Sequence, residues 1–284
     1  MQNRLIKHIE QQLNADILSF SFVGGGSINQ TFLLNTSRGN YFIKLNSSVK
    51  FPDMFYKEEK GLNTIAVTKT IQTPKIILND SFEDTAFLIL EYIPQGIESS
   101  AFWERFGASL ALLHKHSNNF FGFTEDNYIG SLIQMNTPKN SWVEFFITCR
   151  LLPQIKQATH KLSKNTIERF EVLFKKLQDI FPDEKPALLH GDLWSGNFLV
   201  NQHQEPVLID PAVYYGHREM DLAMTRLFGG FDKIFYNAYN NAFALEKGWE
   251  ERADICNLYP LLVHVNLFGG AYVNSVETVL KKFT

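Results

Sequence analysis

Residues 189–200 read Leu-His-Gly-Asp-Leu-Trp-Ser-Gly-Asn-Phe-Leu-Val, and they decide the interpretation of the whole chain. They carry the pattern H-x-D-x-x-x-x-N, from His190 to Asn197, which is the spacing of the catalytic loop in phosphoryl-transfer enzymes of the kinase type. That chemistry needs a carboxylate that orients an attacking hydroxyl and accepts its proton, and Asp192 supplies one. It also needs a neutral oxygen donor for a hard cation, which Asn197 supplies. The stretch therefore predicts a phosphoryl-transfer site.

The residues after this loop predict a tight hairpin. Its strands are Phe198–Val200 and Val207–Ile209, and the polar turn Asn201–Glu205 joins them. The open end of such a hairpin brings Asn197 close to Asp210, and a carboxylate beside an amide oxygen suits magnesium held against phosphates. The alternative is a polar loop that is satisfied by its own backbone, in which the acidic residue caps a turn. The position of Asp210 argues against this alternative.

A glycine-rich run lies nearer the N-terminus, between two apparent strands. Gly24, Gly25 and Gly26 are followed by Ser27 and, two residues later, by Asn29. Glycines at such a place let backbone N–H groups approach a polyphosphate closely. The run is neither a Walker loop nor a dinucleotide fingerprint, because no Gly-Lys-Ser/Thr follows and the next element is a strand. A plain glycine-rich hairpin turn is the alternative.

One lysine interrupts an apolar strand. Lys44 lies in the second strand after the glycine run, where a kinase places the lysine that contacts the α- and β-phosphates. Its carboxylate partner should lie on the following helix, where Glu58 and Glu59 are both available. An exposed strand face with a surface salt bridge is the alternative for all three residues.

The chain divides into two parts of different character. The first part alternates short apolar runs with turns and has one embedded helix, whereas the second is mainly helical. We therefore predict an α+β, bilobal fold: a small β-sheet lobe over residues 1–93, a hinge near 91–96, and a large helical lobe over 97–284. Helices are expected at Asn3–Leu13, Phe55–Val67 and Ser99–Lys115, and strands at Ser19–Val23, Thr31–Asn35, Tyr41–Leu45, Lys75–Leu78 and Ala86–Tyr92.

Composition excludes several classes of protein. The 284 residues are 45% hydrophobic and 20% charged, so the chain is not disordered. The net charge of −3 gives no bulk attraction to nucleic acid or to an anionic membrane. Only two cysteines occur, and no signal-peptide block or membrane-length apolar stretch is evident. A soluble protein of the cytoplasm is expected.

The segment after Asp210 limits the size of the acceptor. Ten residues separate Asp210 from Asp221, and no Ala-Pro-Glu element follows. A protein kinase docks its peptide on a much longer activation segment. The acceptor is therefore expected to be a small molecule.

At this point the chain resembles the fructosamine kinase (ketosamine-3-kinase) family, a branch of the protein-kinase-like fold that includes aminoglycoside and choline kinases. The resemblance rests on the stretches VGGGSINQ, DNYIGS, WVEFF, HGDLWSGN, IDPAVYYGHREMDLAMTRLFGGF and GWEERADICNLYPLLVHVNLFGG, which together span nearly the whole chain. It implies ATP-dependent phosphorylation of the sugar 3-hydroxyl of a ketosamine, which is a step in deglycation repair. Members act on fructosamines, ribulosamines or erythrulosamines.

The resemblance also implies roles for individual residues. Asp192 matches the catalytic aspartate of the family, while Asn197 and Asp210 match its magnesium ligands. Lys44 matches the phosphate-binding lysine, and Glu58 matches the partner of that lysine on the helix.

Further residues are matched to the nucleotide and to the acceptor. Gly24–Asn29 matches the nucleotide loop of the family. The hinge that contacts adenine in the family is matched by Glu91, Tyr92 and Ile93. Trp194 matches a tryptophan placed to stack on the substrate, with plain core packing as its alternative. Ser27 stands where some eukaryotic members have Cys, so no thiol switch is expected at the loop.

Three other polar residues near these motifs have two possible roles. His217 and Glu219 are candidates for contact with substrate, although bracing of the loop after Asp210 is the stronger alternative for both. His190 is expected to anchor the catalytic loop to the backbone and not to act as a base.

Two other functions stay open at this point. A small-molecule kinase for an aminoglycoside or a choline-like amine would use the same glycine loop and the same acidic residues, so only the family-specific stretches argue against it. A nucleotide-binding pseudokinase scaffold would lack a catalytic element. The sequence argues against this alternative, because it contains every catalytic element named above: Lys44, Glu58, Asp192, Asn197 and Asp210.

Overall fold

The computed structural model describes residues 3–24 and 28–284. Its N-terminal part is a five-stranded antiparallel sheet in the order β1-β2-β3-β5-β4. The strands are β1 (Ile17–Phe22), β2 (Gln30–Thr36), β3 (Gly39–Ser47), β4 (Ile76–Phe82) and β5 (Thr85–Glu91).

Two helices cover the two faces of this sheet. The first, α1 (Asn3–Leu13), buries Leu5 and Ile9 against one face, and the second, α2 (Met54–Ala66), packs on the other. Because side chains alternate along β3, Ile43 points towards α1 while its neighbour Lys44 points towards α2. Lys44 is therefore buried under α2, and the alternative of an exposed strand face is wrong for this residue.

The remainder of the described chain is mainly helical, as expected. Helices α3 and α9 pack so closely that a Cβ on Gly107 of α3 would lie only 2.1 Å from the carbonyl oxygen of Phe235 on α9. A π-helical turn at Phe146–Leu151 joins α4 to α5. The helices are α3 (Ser100–His114), α4 (Trp142–Phe145), α5 (Leu152–Gln157), α6 (Lys164–Phe174), α7 (Leu177–Ile180), α8 (Glu219–Leu227), α9 (Lys233–Ala242), α10 (Trp249–Cys256), α11 (Leu258–Phe268) and α12 (Tyr272–Phe283).

Three short antiparallel pairs of strands lie among these helices. The predicted hairpin is present and its polar turn is where the sequence puts it. The other two pairs were not predicted, and in one of them the two strands are far apart in the sequence. The pairs are β9 (Phe198–Val200) with β10 (Pro206–Leu208), β6 (Asn127–Ile129) with β7 (Leu132–Gln134), and β8 (Ala187–Leu189) with β11 (Tyr214–Gly216).

The linking segment between the two parts bonds to this hairpin. The N–H of Gly96 donates to the carbonyl of Val200 at 2.7 Å, and a Cβ on Gly96 would lie 2.0 Å from the carbonyl oxygen of Asn201. Only glycine permits this approach. Over the described ranges, none of the helices is long and apolar enough to cross a membrane.

Candidate active site

The catalytic loop is anchored by His190, as the sequence analysis expected. The Nε2 of this fully buried imidazole lies 2.9 Å from the carbonyl oxygen of Ile209, and its Nδ1 lies 3.3 Å from the backbone nitrogen of Asp192. The carbonyl can only accept and the N–H can only donate, so the ring is the neutral Nε2–H tautomer. Burial lowers the pKa of His190, in agreement with that neutral state. The loop is thereby tied to the strand end that precedes Asp210.

A second anchor is Asp221, in the first turn of α8. Its carboxylate accepts the backbone N–H of His190 at 2.7 Å and that of Gly191 at 2.9 Å, and His114 Nε2 lies 3.2 Å away. Burial alone would raise the pKa of Asp221, but the hydrogen bonds from His114 and from the backbone N–H of Gly191 outweigh it, so the pKa is lowered. Gly191 is required here, since its φ is +84° and a Cβ would lie 2.1 Å from the oxygen of Ala212.

Asp192 stands at the floor of the site. The amide nitrogen of Asn197 donates to its carboxylate at 3.0 Å and to its backbone oxygen at 2.8 Å. Burial raises the pKa of Asp192 to about 7, the bond from Asn197 opposes this, and the charges of Asp210 and Asp221 add to it. A carboxylate with a pKa near neutrality is suited to accepting a proton from a hydroxyl.

Lys44 joins the two lobes at the phosphate side of the site. Its Nζ lies 2.5 Å from Glu58 Oε1 and also bonds to Asp210 Oδ1. Burial alone would lower the pKa of Lys44, but the two carboxylates raise it, so the ammonium stays charged. The structure thus selects Glu58 as the partner, whereas Glu59 accepts a bond from Asn79 at 2.6 Å.

The environment of Asp210 fits a magnesium ion. Its side chain keeps 42% exposure towards the cavity, and its backbone φ of +55° is unusual for a residue before proline. Asn197, whose amide nitrogen is engaged with Asp192, leaves its amide oxygen for another partner. Magnesium takes one or two protein oxygens and completes its shell with phosphate oxygens and water. Residues 3–24 and 28–284 contain no group of three or more His, Cys, Asp or Glu side chains arranged to hold a metal ion, and the chemistry of kinases needs none.

A cavity of about 460 Å³ opens beside these residues. Asp192, Asn197 and Asp210 line it together with a group of neighbouring rings, which we call the aromatic wall. Trp194 lies on this wall, half-buried, with the edge of Phe228 against it at 6.1 Å between ring centroids. The wall consists of Trp194, Phe228, His264, Phe268 and Tyr272.

Sequence reasoning missed His264. Its ring lies 4.9 Å from that of Tyr272 and 5.0 Å from that of Phe228, and its Nδ1 donates to the carbonyl of Pro260 at 2.7 Å. Burial lowers its pKa, so the neutral ring carries a lone pair on Nε2. Within the described residues, no protein group bonds to that atom. The available signal was a histidine in the largely apolar helix α11, and a core histidine gives the same signal.

Several assigned residues lie elsewhere. Glu219 is fully buried and pairs with Arg252 at 2.6 Å, and His217 is fully buried beside Glu184. Neither lines the cavity, because both side chains point into the packing between helices. We therefore abandon the substrate role for His217 and Glu219 and retain the bracing role.

The structure describes only some of the residues that were assigned to the nucleotide loop and the hinge. Gly25, Gly26 and Ser27 lie outside the described residues. Asn29 lines the cavity and accepts a bond from Asn46 at 2.6 Å, and Gly24 ends the first described range. Glu91, Tyr92 and Ile93 lie where β5 ends and the linking segment begins. Their contact with nucleotide stays a prediction.

A two-lobed fold with a Lys–Glu pair, a loop aspartate and a small acceptor cavity defines a small-molecule phosphotransferase of the protein-kinase-like class. The family model described as fructosamine kinase matches residues 1–284. The chain belongs to the fructosamine kinase family.

Individual relatives agree with this assignment. A probable ketoamine kinase of Synechocystis is 40% identical, with 92% of this chain and 88% of that protein aligned. A chloroplastic protein-ribulosamine 3-kinase of Arabidopsis thaliana is 37% identical over 94% of this chain and 83% of its own. A Thermobifida fusca crystal structure, provisionally named fructosamine-3-kinase, superposes with a TM-score of 0.87 at 30% identity, covering 99% of this chain and all of that one.

More distant structures share the fold alone. An aminoglycoside phosphotransferase superposes with a TM-score of 0.69 at 13% identity, over 99% of this chain and 98% of its own. The fold by itself therefore leaves the aminoglycoside alternative open, and the family match is what separates the two.

Proposed function

We propose that this protein transfers the γ-phosphoryl group of ATP to the 3-hydroxyl of the sugar in a ketosamine, with a ribulosamine, erythrulosamine or fructosamine as acceptor. The observation that carries the proposal is that Asp192 lines a small cavity together with Asn197, Asp210 and the residues of the aromatic wall. The names of the aligned relatives support this acceptor class.

Each residue of the site has a separate role in the proposed phosphoryl transfer. Lys44, held by Glu58, is placed to neutralise the α- and β-phosphates, while Asn197 and Asp210 would hold Mg²⁺. When bound, Mg²⁺ supplies charge neutralisation on the phosphate oxygens. Asp192 accepts a hydrogen bond from the acceptor hydroxyl, orients its oxygen in line with the γ-phosphorus, and takes its proton as the new P–O bond forms and the bond from the γ-phosphorus to the bridging oxygen breaks, which releases ADP.

The aromatic wall accounts for an acceptor that carries a sugar and an amine. The indole of Trp194 can stack on the apolar face of the sugar or lie against the protonated amine, which is a cation–π contact of roughly 0.5–2 kcal/mol. The lone pair on Nε2 of His264 can accept one further hydrogen bond from a hydroxyl or from the ammonium group. A cavity of about 460 Å³ suits a small acceptor.

Steady-state assays with Mg-ATP and a panel of acceptors test the proposal. The panel contains a ribulosamine, an erythrulosamine, a fructosamine and an aminoglycoside, and NMR of the product assigns the phosphorylated hydroxyl. We expect turnover of the ketosamines at O3, and none in the matched Asp192→Asn variant. Turnover of the aminoglycoside alone would move the protein to the alternative class, and absence of all transfer with intact nucleotide binding would favour the pseudokinase scaffold.

A further inference from the structure

Kinase chemistry requires that Glu58 on α2 reach Lys44, and in protein kinases phosphorylation of the activation loop controls this alignment. Here only ten residues separate Asp210 from Asp221, so no such loop exists in this chain. Some other contact must hold α2 in place.

Two lysines of α2 reach across to the large lobe. Lys60 forms an ion pair with Glu125, and Lys57 Nζ donates to the backbone oxygen of Asp126 at 2.6 Å. Just before α2, the carbonyl of Pro52 accepts a bond from the hydroxyl of Tyr128 at 3.0 Å. Three separate contacts therefore join this edge of α2 to residues 125–128.

The large-lobe side of these contacts is fixed to the metal-binding segment. Asn127 Nδ2 donates to the backbone oxygen of Val213 at 2.8 Å, and Gln134 Nε2 donates to that of Ala212 at 2.9 Å. These carbonyls follow Asp210 by two and three residues. The segment that receives the lysines is thus tied to residues 210–213, between β10 and β11, which include the proposed metal ligand Asp210.

The inner face of α2 rests on the same segment. A Cβ on Gly61 would lie 3.2 Å from Cγ of Pro211 and 3.4 Å from Cγ2 of Val213, so the helix packs closely against the side chains of this segment. A shift of α2 would therefore alter both the Glu58–Lys44 pair and the surroundings of Asp210.

We propose that Lys57, Lys60, Glu125, Asp126 and Tyr128 form an interlobe latch that holds α2 where Glu58 meets Lys44. The latch takes the place of an activation segment, so that the phosphate site is assembled without phosphorylation or a partner protein. Lys60, Glu125 and Asp126 do not line the cavity and act as positioning residues, whereas Lys57 and Tyr128 also line it. The test therefore rests on Lys60 and Glu125, and the proposal does not depend on which acceptor the enzyme uses.

The side chains of Lys60 and Glu125 keep 35% and 30% exposure, so this one ion pair contributes modestly. We expect Lys60→Met to raise the apparent Kd for Mg-ADP about two- to fivefold, because a smaller share of molecules has α2 in the competent position. Lys60→Met combined with Tyr128→Phe should raise it about tenfold. Hydrogen exchange across residues 54–66 should become faster.

Two further variants make the test decisive. The double charge reversal Lys60→Glu/Glu125→Lys should restore Mg-ADP affinity to within about twofold of wild type, which a merely structural loss would not do. Lys282→Met breaks a comparable exposed pair, with Asp254 at 2.8 Å, far from α2, and is the matched control. The proposal is overturned if Lys60→Met binds Mg-ADP as well as Lys282→Met does, or if the charge reversal is as weak as the single variant.

Discussion

Asp192→Asn separates catalysis from stability. The substitution keeps the shape of the side chain and one oxygen for Asn197, whose amide now bonds to the carboxylate at 3.0 Å. It removes the charge and the proton acceptor together. We expect kcat to fall on the order of 10²-fold or more, while the affinity for Mg-ATP changes little.

Stability should move in the opposite direction. Burial raises the pKa of Asp192 from 3.8 to about 7, so the folded protein binds the proton more tightly than the unfolded chain does. An acid whose pKa is raised on folding costs stability progressively as pH rises from 4 to 7, and the full cost is present above 7. Three pKa units correspond to about 4 kcal/mol, and we expect roughly half of that because the cavity admits water.

The assay pairs initial rates with thermal unfolding at pH 5.0 and pH 8.5, without nucleotide. The asparagine variant should melt several degrees higher than wild type at pH 8.5, and the difference should shrink at pH 5.0. A variant with turnover within tenfold of wild type would remove Asp192 from the mechanism. A variant that melts lower than wild type at pH 8.5 would refute the electrostatic account.

The remaining predictions concern the metal, the acceptor and pH. Asp210→Ala should abolish magnesium-supported activity and Asn197→Ala should be milder, because water replaces one neutral ligand; full activity of Asp210→Ala at ordinary magnesium would contradict the assignment. Trp194→Ala should raise the acceptor KM several-fold to about tenfold and leave the ATP KM unchanged. Thermal unfolding with ATP present checks that the variant is folded. Unaltered acceptor kinetics in a folded variant would leave core packing as the role of Trp194. His264→Phe should raise the acceptor KM about three- to tenfold, with partial recovery in His264→Gln. The log of kcat/KM should rise with pH below about 7 and then level off, since only ionised Asp192 accepts the proton; a flat profile from pH 5 to 8 would exclude this role.

Much of the catalytic centre was predictable because short-range rules place it. The spacing from Asp192 to Asn197 and the two strands of the hairpin lie within twenty residues, and hairpin pairing fixes where Asp210 must follow. Strand alternation predicts that the side chains of Lys44 and Ile43 point to opposite faces of the sheet. It does not predict which of the two faces α2 covers, so the burial of Lys44 could not be predicted. The sheet and its two helices followed from hydrophobic periodicity of the same local kind.

The aromatic wall and the proposed latch were decided by tertiary structure alone. His264 and Trp194 are seventy residues apart in the chain, and Lys60 and Glu125 are sixty-five apart. No periodicity links such positions, because their meeting depends on how whole helices pack. The same packing keeps His217 and Glu219 out of the site, although they follow Asp210 closely in sequence. Glu219, in the first turn of α8, points into the core and pairs with Arg252, and His217, just before α8, is buried beside Glu184. Sequence thus determined the chemistry of the catalytic loop, and the packing of distant helices decided what that loop can reach, because side-chain direction is set by burial and not by order along the chain.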